Sequence, residues 1–222
     1  MKLKPKQSKR VPSYTLWVEG ETEELYFQWL AKQLRSVKHG IKVTPEVVKP
    51  SQISGYAKRA TFGLEESPIY VIVDCGGEGD SERDQFFSYL EWLDSARKSK
   101  PGLDFHLGYS NLTFELWMIL HKDDCHSKSC KAGYLGDVNR VFGMNLQSLS
   151  EYKKKSAFER CLDKLRLTDV EKALERAERI GKINETQGTR RERSGFSYYP
   201  SNPSLSVNEV VRKMLTDVGY IK

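Results

Sequence analysis

The chain has no uncharged apolar run of about eighteen residues, the length a membrane-spanning helix needs. No secretory signal opens it either. The basic stretch Met1 to Arg10 leads into a strand pattern without a cleavable apolar segment. Cysteine is scarce: Cys75, Cys125, Cys130 and Cys161 are scattered over 222 residues and form no disulfide framework. No internal repeat or low-complexity tract occurs, and no Pro, Gly or Ser-rich linker is long enough to separate two bodies. These absences argue against a membrane or disulfide-stapled secreted protein. The expected compartment is the cytoplasm.

What is present is the composition of a highly charged globular protein, 38% apolar and 30% charged. The net charge of +6 conceals a polarity. Met1 to Arg10 carries +5, Val11 to Ser127 carries −6 (12 basic against 18 acidic residues), and Lys128 to Lys222 carries +7. An acidic part flanked by basic ones suits a protein that holds a metal in one place and steers a polyanion with another. The alternative for the basic runs is a solvated surface. Candidates for polyanion contact are Lys153 and Lys154, and Arg190, Arg191 and Arg193, which precede Phe196, Tyr198 and Tyr199. Such a mixture of cations and rings can hold single-stranded nucleic acid.

The most informative stretch is Tyr14 to Glu24. Tyr14, Leu16 and Val18 read as a buried strand that stops on Glu19-Gly20, and a helix restarts near Thr22, a candidate cap, with Glu23 and Glu24 suiting its positive end. A second apolar strand, Ile69 to Val73, runs into Asp74. Acids at the carboxyl ends of parallel strands face the ligand crevice of an open α/β sheet. Two carboxylates meeting there stay ionised cheaply only with a cation or proton between them, and hard oxygen donors suit Mg²⁺ or Mn²⁺. Solvated caps are the plainer alternative.

The periodicity predicts strands at 14–19, 41–48, 69–74 and 104–109, alternating with helices at 22–37, 53–64, 80–98 and 112–121. After Lys122 the strands are expected to stop. Helices are expected near Tyr134 to Phe142, Ser156 to Leu165, Asp169 to Ile183 and Ser206 to Asp217, with Thr168 and Glu171 as a capping box and Ser206 as a cap. The fold class is therefore α/β: a Rossmann-like parallel sheet with flanking helices and a helical C-terminal portion packed on it. The expected divisions are a basic tail at 1–12, an α/β core at 13–125, and a helical portion at 126–222 that completes the same domain. The segment Leu112 to Leu120 is apolar nearly all round, so Glu115 within it is a buried acid in need of a partner. Ser110 and Asn111 are candidates to orient a metal-bound water or a phosphate, or in the case of Asn111 to cap the helix. His121, Cys125, His126 and Cys130 have zinc-ligand chemistry but not the usual knuckle spacing, and a polar loop is the preferred reading.

Glu19-Gly20 before a helix, followed by a strand ending in Asp74, resembles the Toprim domain of topoisomerases, primases and several nucleases. Val18 to Phe27, Ser110 to His121 and Asn202 to Val207 together resemble the RloB-like proteins, a bacterial Toprim branch associated with restriction and abortive-infection loci. The resemblance implies a Mg²⁺- or Mn²⁺-dependent nuclease acting on DNA or RNA in defence against phage or other foreign genetic elements. A partner ATPase and an oligomer are compatible with it, and no membrane is implied. Glu19 matches the general acid or base, Asp74 the first metal-binding aspartate, Glu115 a third active-site element, and Lys153 a cation facing the scissile phosphate. Gly76 stands where the family has its second aspartate, and Glu78 or Asp80 in the following loop could supply the lost metal ligand. A binding module with a decayed site and a phosphatase on small substrates remain open as alternatives.

Overall fold

The computed structural model describes residues 11–37, 40–55, 68–77, 81–102 and 104–222. Four strands run parallel: β1 (Ser13–Val18), β2 (Lys42–Val47), β3 (Ile69–Asp74) and β4 (Phe105–Asn111). The two-residue β7 (Ser204–Leu205) adds antiparallel to β4, giving the order β2-β1-β3-β4-β7. Helix α1 (Glu21–Leu34) connects β1 to β2, and α2 (Ser81–Ser99) precedes β4. This is a Rossmann-like α/β arrangement, as the alternating apolar pattern predicts.

Side chains alternate across a strand, so the sheet divides the core into two layers. Tyr14, Leu16, Val18, Tyr70 and Ile72 face α1 and the C-terminal helices. Trp17, Ile69, Val71 and Val73 face α2, whose Phe86, Tyr89, Leu90 and Leu93 form its buried stripe. The first layer is built around α3 (Glu115–Leu120), every residue of which is buried. Around it lie α4 (Tyr134–Phe142), α5 (Leu149–Tyr152), α6 (Lys155–Leu162), α7 (Leu167–Gln187) and α8 (Val207–Asp217). The C-terminal portion thus shares one core with the sheet, as expected.

Several expectations are corrected. Strands do not stop after residue 122: besides β7, β5 (Arg191–Arg193) and β6 (Phe196–Tyr198) form a hairpin, tied to α2 by Phe86 edge-on to Tyr198. Helix α1 begins at Glu21 with Gly20 in the cap position, and the Thr22 hydroxyl donates to Glu23 Oε2 instead of capping. Strand β4 runs on through Ser110 and Asn111, so α3 starts three residues later than predicted, and Asn111 binds the carbonyl oxygen of Pro200 rather than capping a helix. At α7 the capping pair is Arg166 and Asp169, since the Asp169 carboxylate accepts from the Arg166 amide at 2.9 Å. Ser206 precedes α8, but its hydroxyl accepts from the Tyr109 amide and donates to the Leu107 carbonyl, fastening the helix to β4. Most of the helix expected at 53–64, the extreme N-terminal tail, and Glu78 and Asp80 lie outside the described residues.

Candidate functional site

Backbone pairing carries β1 and β3 to a common edge: the Glu19 amide donates to the Ile72 carbonyl at 3.0 Å. One step further, the Asp74 amide donates to Glu19 Oε2 at 2.9 Å, so a side-chain carboxylate continues the ladder where the strand ends. Gln85 Nε2 on α2 holds the other oxygen, Oε1, at 3.0 Å. The first turn of α1 then brings Glu23 alongside, buried at 3% exposure. An ideal Cβ on Gly20 would already lie 3.0 Å from Glu23 Oε2, which leaves little space for a larger residue between the two acids.

Asp74 is buried, and its Oδ2 accepts from the Thr113 hydroxyl at 2.8 Å. The same hydroxyl lies 2.6 Å from Glu115 Oε2. A hydroxyl has one proton and can donate to only one of these acids, so the other short contact needs a proton on a carboxyl. Glu115 Oε1 is buried without a hydrogen-bond partner. Two ammonium groups face the acids from outside: Lys153 Nζ lies 3.7 Å from Glu115 Oε1, and Lys131 Nζ lies 3.7 Å from Asp74 Oδ2 and 3.8 Å from Glu82.

This crowding of like charge has titration consequences. Burial, then the Asp74 charge, pushes Glu19 up to about 7. Burial, again with Asp74 next, pushes Glu23 up to about 8. Burial also raises Asp74 above the usual carboxylate range, against the pull of Lys131 and Lys153. Burial disfavours charge on Lys153 as well, but Glu115, Asp74, Glu23 and Glu19 outweigh it and hold this ammonium protonated well above its ordinary value. Glu19, Glu23, Asp74 and Lys153 line a cleft of about 300 Å³ together with Gly20, Glu21, Thr22 and Lys49. Lys49 Nζ donates to the Glu19 carbonyl at 3.3 Å.

A model of the RloB-like protein family matches residues 14–214. The chain belongs to the RloB-like family. No curated protein and no solved structure matches it. The match spans the sheet and nearly all of the C-terminal helical portion, so the acid cleft of this RloB-like chain lies within the shared region.

The expected site residues are distributed unevenly around that cleft. Glu19, Asp74, Glu115 and Lys153 come together. Lys154 is exposed at the start of α6. Arg190 and Arg193 are engaged by their own surroundings, Arg190 with Ser197 and Arg193 with Glu91 and the face of Phe87, while Arg191 sits on the exposed strand β5. In the sequence Glu23 fits the helix dipole, and Thr113, Lys131 and Gln85 carry no mark of a site residue. The spacing Glu19-x-x-x-Glu23 was the available signal for the first. For Lys131, in a short 3₁₀ turn far along the chain, there was none.

Gly76 has a physical explanation. Its φ is +65°, and an ideal Cβ would lie 2.7 Å from the Arg83 amide nitrogen and 2.8 Å from Glu82. The backbone at this position excludes a side chain. Arg83 fixes it further by donating to the Gly76 carbonyl at 2.8 Å. His121, Cys125, His126 and Cys130 do not assemble: His121 is buried between Tyr26 and the Trp117 carbonyl, and Cys130 is exposed. Among the described residues, no three His, Cys, Asp or Glu side chains are grouped closely enough to hold a metal by themselves. Among the same residues, no helix is long and apolar enough to cross a membrane.

Proposed function

We propose that this RloB-like chain is a divalent-metal-dependent phosphodiesterase of the Toprim type that cuts DNA or RNA. The observation that carries the reading is the bond from the Asp74 amide to the Glu19 carboxylate, which fixes two acids at one strand-end cleft with Glu23 beside them. Among the described residues, Glu19, Glu23, Asp74 and Glu115 crowd together there with Lys49, Lys131 and Lys153 around them, so the acids outnumber the nearby cations. The donor set fits Mg²⁺ or Mn²⁺: hard carboxylate oxygens, including a buried Glu115 oxygen without a hydrogen-bond partner. A three-carboxylate cage is not required, because Mg²⁺ is commonly held by one or two carboxylates together with substrate phosphate and water.

In this reading Asp74 and Glu19 would hold the dication, with Glu115 linked to Asp74 through the Thr113 hydroxyl. When bound, the metal supplies charge that polarises the phosphate and acidifies water. Glu19 is placed to move the proton, its carboxylate held at the cleft by the Asp74 amide on Oε2 and by Gln85 Nε2 on Oε1. Lys153, held in its charged form, offsets phosphate charge. A role in defence against phage and other foreign genetic elements follows from the family resemblance alone.

The test is cleavage of plasmid, single-stranded DNA and transfer RNA with Mn²⁺, by wild type, Glu19→Gln and Asp74→Asn. Each substitution is expected to remove roughly 10²–10⁴-fold of the rate. Equal rates in all three proteins would refute the assignment. The Gly76 geometry favours a second reading, a nucleic-acid or partner-binding module with a decayed site, because position 76 cannot carry the family's second aspartate. Salt-sensitive nucleic-acid binding without any Mn²⁺ binding would decide for the module.

A further inference from the structure

Beside the acid cleft lies a second groove of about 520 Å³, lined by Lys49, Pro50, Ser51, Gln85, Ser88 and Trp92. It is a shallow groove open to solvent along one side, not an enclosed pocket. Trp92 is 40% exposed, the most open aromatic side chain among the described residues. A lone apolar residue on a surface needs no explanation. This one forms a wall: Gln85, Ser88 and Trp92 follow one another along one face of α2, and the 3₁₀ turn Pro50–Gln52 stands opposite. The Tyr89 hydroxyl donates to the Val48 carbonyl at 2.9 Å and pins the helix to that wall, so the groove is preformed.

Two residues join this groove to the cleft. Lys49 lines both, with its ammonium on the Glu19 carbonyl. Gln85 lines the groove and donates to the Glu19 carboxylate. A chain of phosphates with its reacting group near Glu19 would therefore pass Lys49 and place its neighbouring residue against Trp92. The chemistry of that neighbour follows from the lining: a flat π surface for the indole, polar edges for Ser51, Ser88 and Gln85, and an anion for Lys49.

We propose that the Trp92 groove is a nucleotide subsite that stacks one unpaired base of a single-stranded nucleic acid beside the acid cleft, with Lys49 holding the intervening phosphate. The assignment builds on the phosphodiesterase reading and names its substrate class. Stacking requires a free base face, so the site takes single strands and leaves a continuous duplex unrecognised.

The test uses fluorescein-labelled ten-residue DNA and RNA strands and the matching duplex, measured by anisotropy with the full chain in EDTA, where no metal-dependent cleavage occurs. Loss of one base–aromatic stack lowers affinity roughly 5- to 150-fold, so Trp92→Ala is expected to weaken single strands by about tenfold or more and leave the duplex unchanged. Trp92→Phe should recover most of the loss, and Lys49→Gln should lower the slope of log affinity against log salt by about 0.7. Trp92 belongs to neither buried core layer, so both Trp92 variants are expected to fold. Equal strand affinity in wild type and Trp92→Ala, or no strand bound by wild type, would overturn the subsite. Trp92-dependent binding without any cleavage in Mn²⁺ would sink the reaction and keep the subsite. Glu19-dependent cleavage with KM unchanged in Trp92→Ala would do the reverse.

Discussion

Replacing Glu23 with glutamine should flatten the pH dependence of stability in the metal-free protein. The sign follows from the raised carboxyls. Glu19 near 7 and Glu23 near 8 hold protons in the fold that the unfolded chain, titrating near 4.5, has already released. Their contribution is fully present below the unfolded value and is lost as pH rises through 7 and then 8. His121 works in the opposite sense, because burial lowers it to about 4, but its effect is half gone at pH 6.5, where the unfolded imidazole titrates, and adds under about 0.5 kcal/mol above that pH. The clean window is therefore pH 6.5 to 8. One proton of difference changes stability by about 1.4 kcal/mol per pH unit. Across this window Glu23 loses about 2 kcal/mol and Glu19 somewhat under 1 kcal/mol, for a total of about 2–3 kcal/mol. Glu23→Gln keeps the shape and removes the charge, so it should retain only the Glu19 share. Urea unfolding in EDTA at pH 6.5, 7.2 and 8 reads the effect as a falling midpoint in wild type and a much flatter series in the variant. A wild-type midpoint that is constant or rises over this range would refute the account of crowded, buried acids.

Three further outcomes are expected. Thr113→Val removes the hydroxyl shared by Asp74 and Glu115 and should cost about 1–3 kcal/mol, while Thr113→Ser should restore most of it; equal unfolding midpoints for wild type and the valine variant would contradict the bridge. Gly76→Asp should destabilise the fold and fail to improve Mn²⁺ binding, because φ is +65° and the Arg83 amide occupies the place of a Cβ; a stable variant with tighter metal would show that the loop has room. Tyr26→Phe removes the partner of His121 Nε2 and should cost about 1 kcal/mol with cleavage rates unchanged, since neither residue lines the cleft.

The sheet could be read from the chain because buried parallel strands are nearly continuous apolar runs, and Ile69 to Val73 is such a run. The acids at its edge were readable for the same reason: a carboxylate that ends an apolar strand has nowhere else to face. Glu115 stood out because a charge in an all-apolar helix conflicts with its neighbours. What escaped was short or remote. The β5–β6 hairpin has three residues per strand, and one of them is wholly exposed and charged, so no alternation announces it. Lys131 reaches Asp74 across 57 positions of sequence, from a 3₁₀ turn with no periodicity of its own. Glu23 is ambiguous in the sequence, since a first-turn acid fits the helix dipole equally well, and only the path of Gly20 turns it into the cleft.

Titration of Mn²⁺ into metal-free protein at pH 8, followed by the loss of the free-ion paramagnetic resonance signal, tests the central claim most directly. Wild type should bind the ion at sub-millimolar concentration, Asp74→Asn should lose that binding, and Glu19→Gln should weaken it. Wild type that leaves millimolar Mn²⁺ free, or an Asp74→Asn protein that binds as wild type does, would contradict a dication held between Glu19 and Asp74.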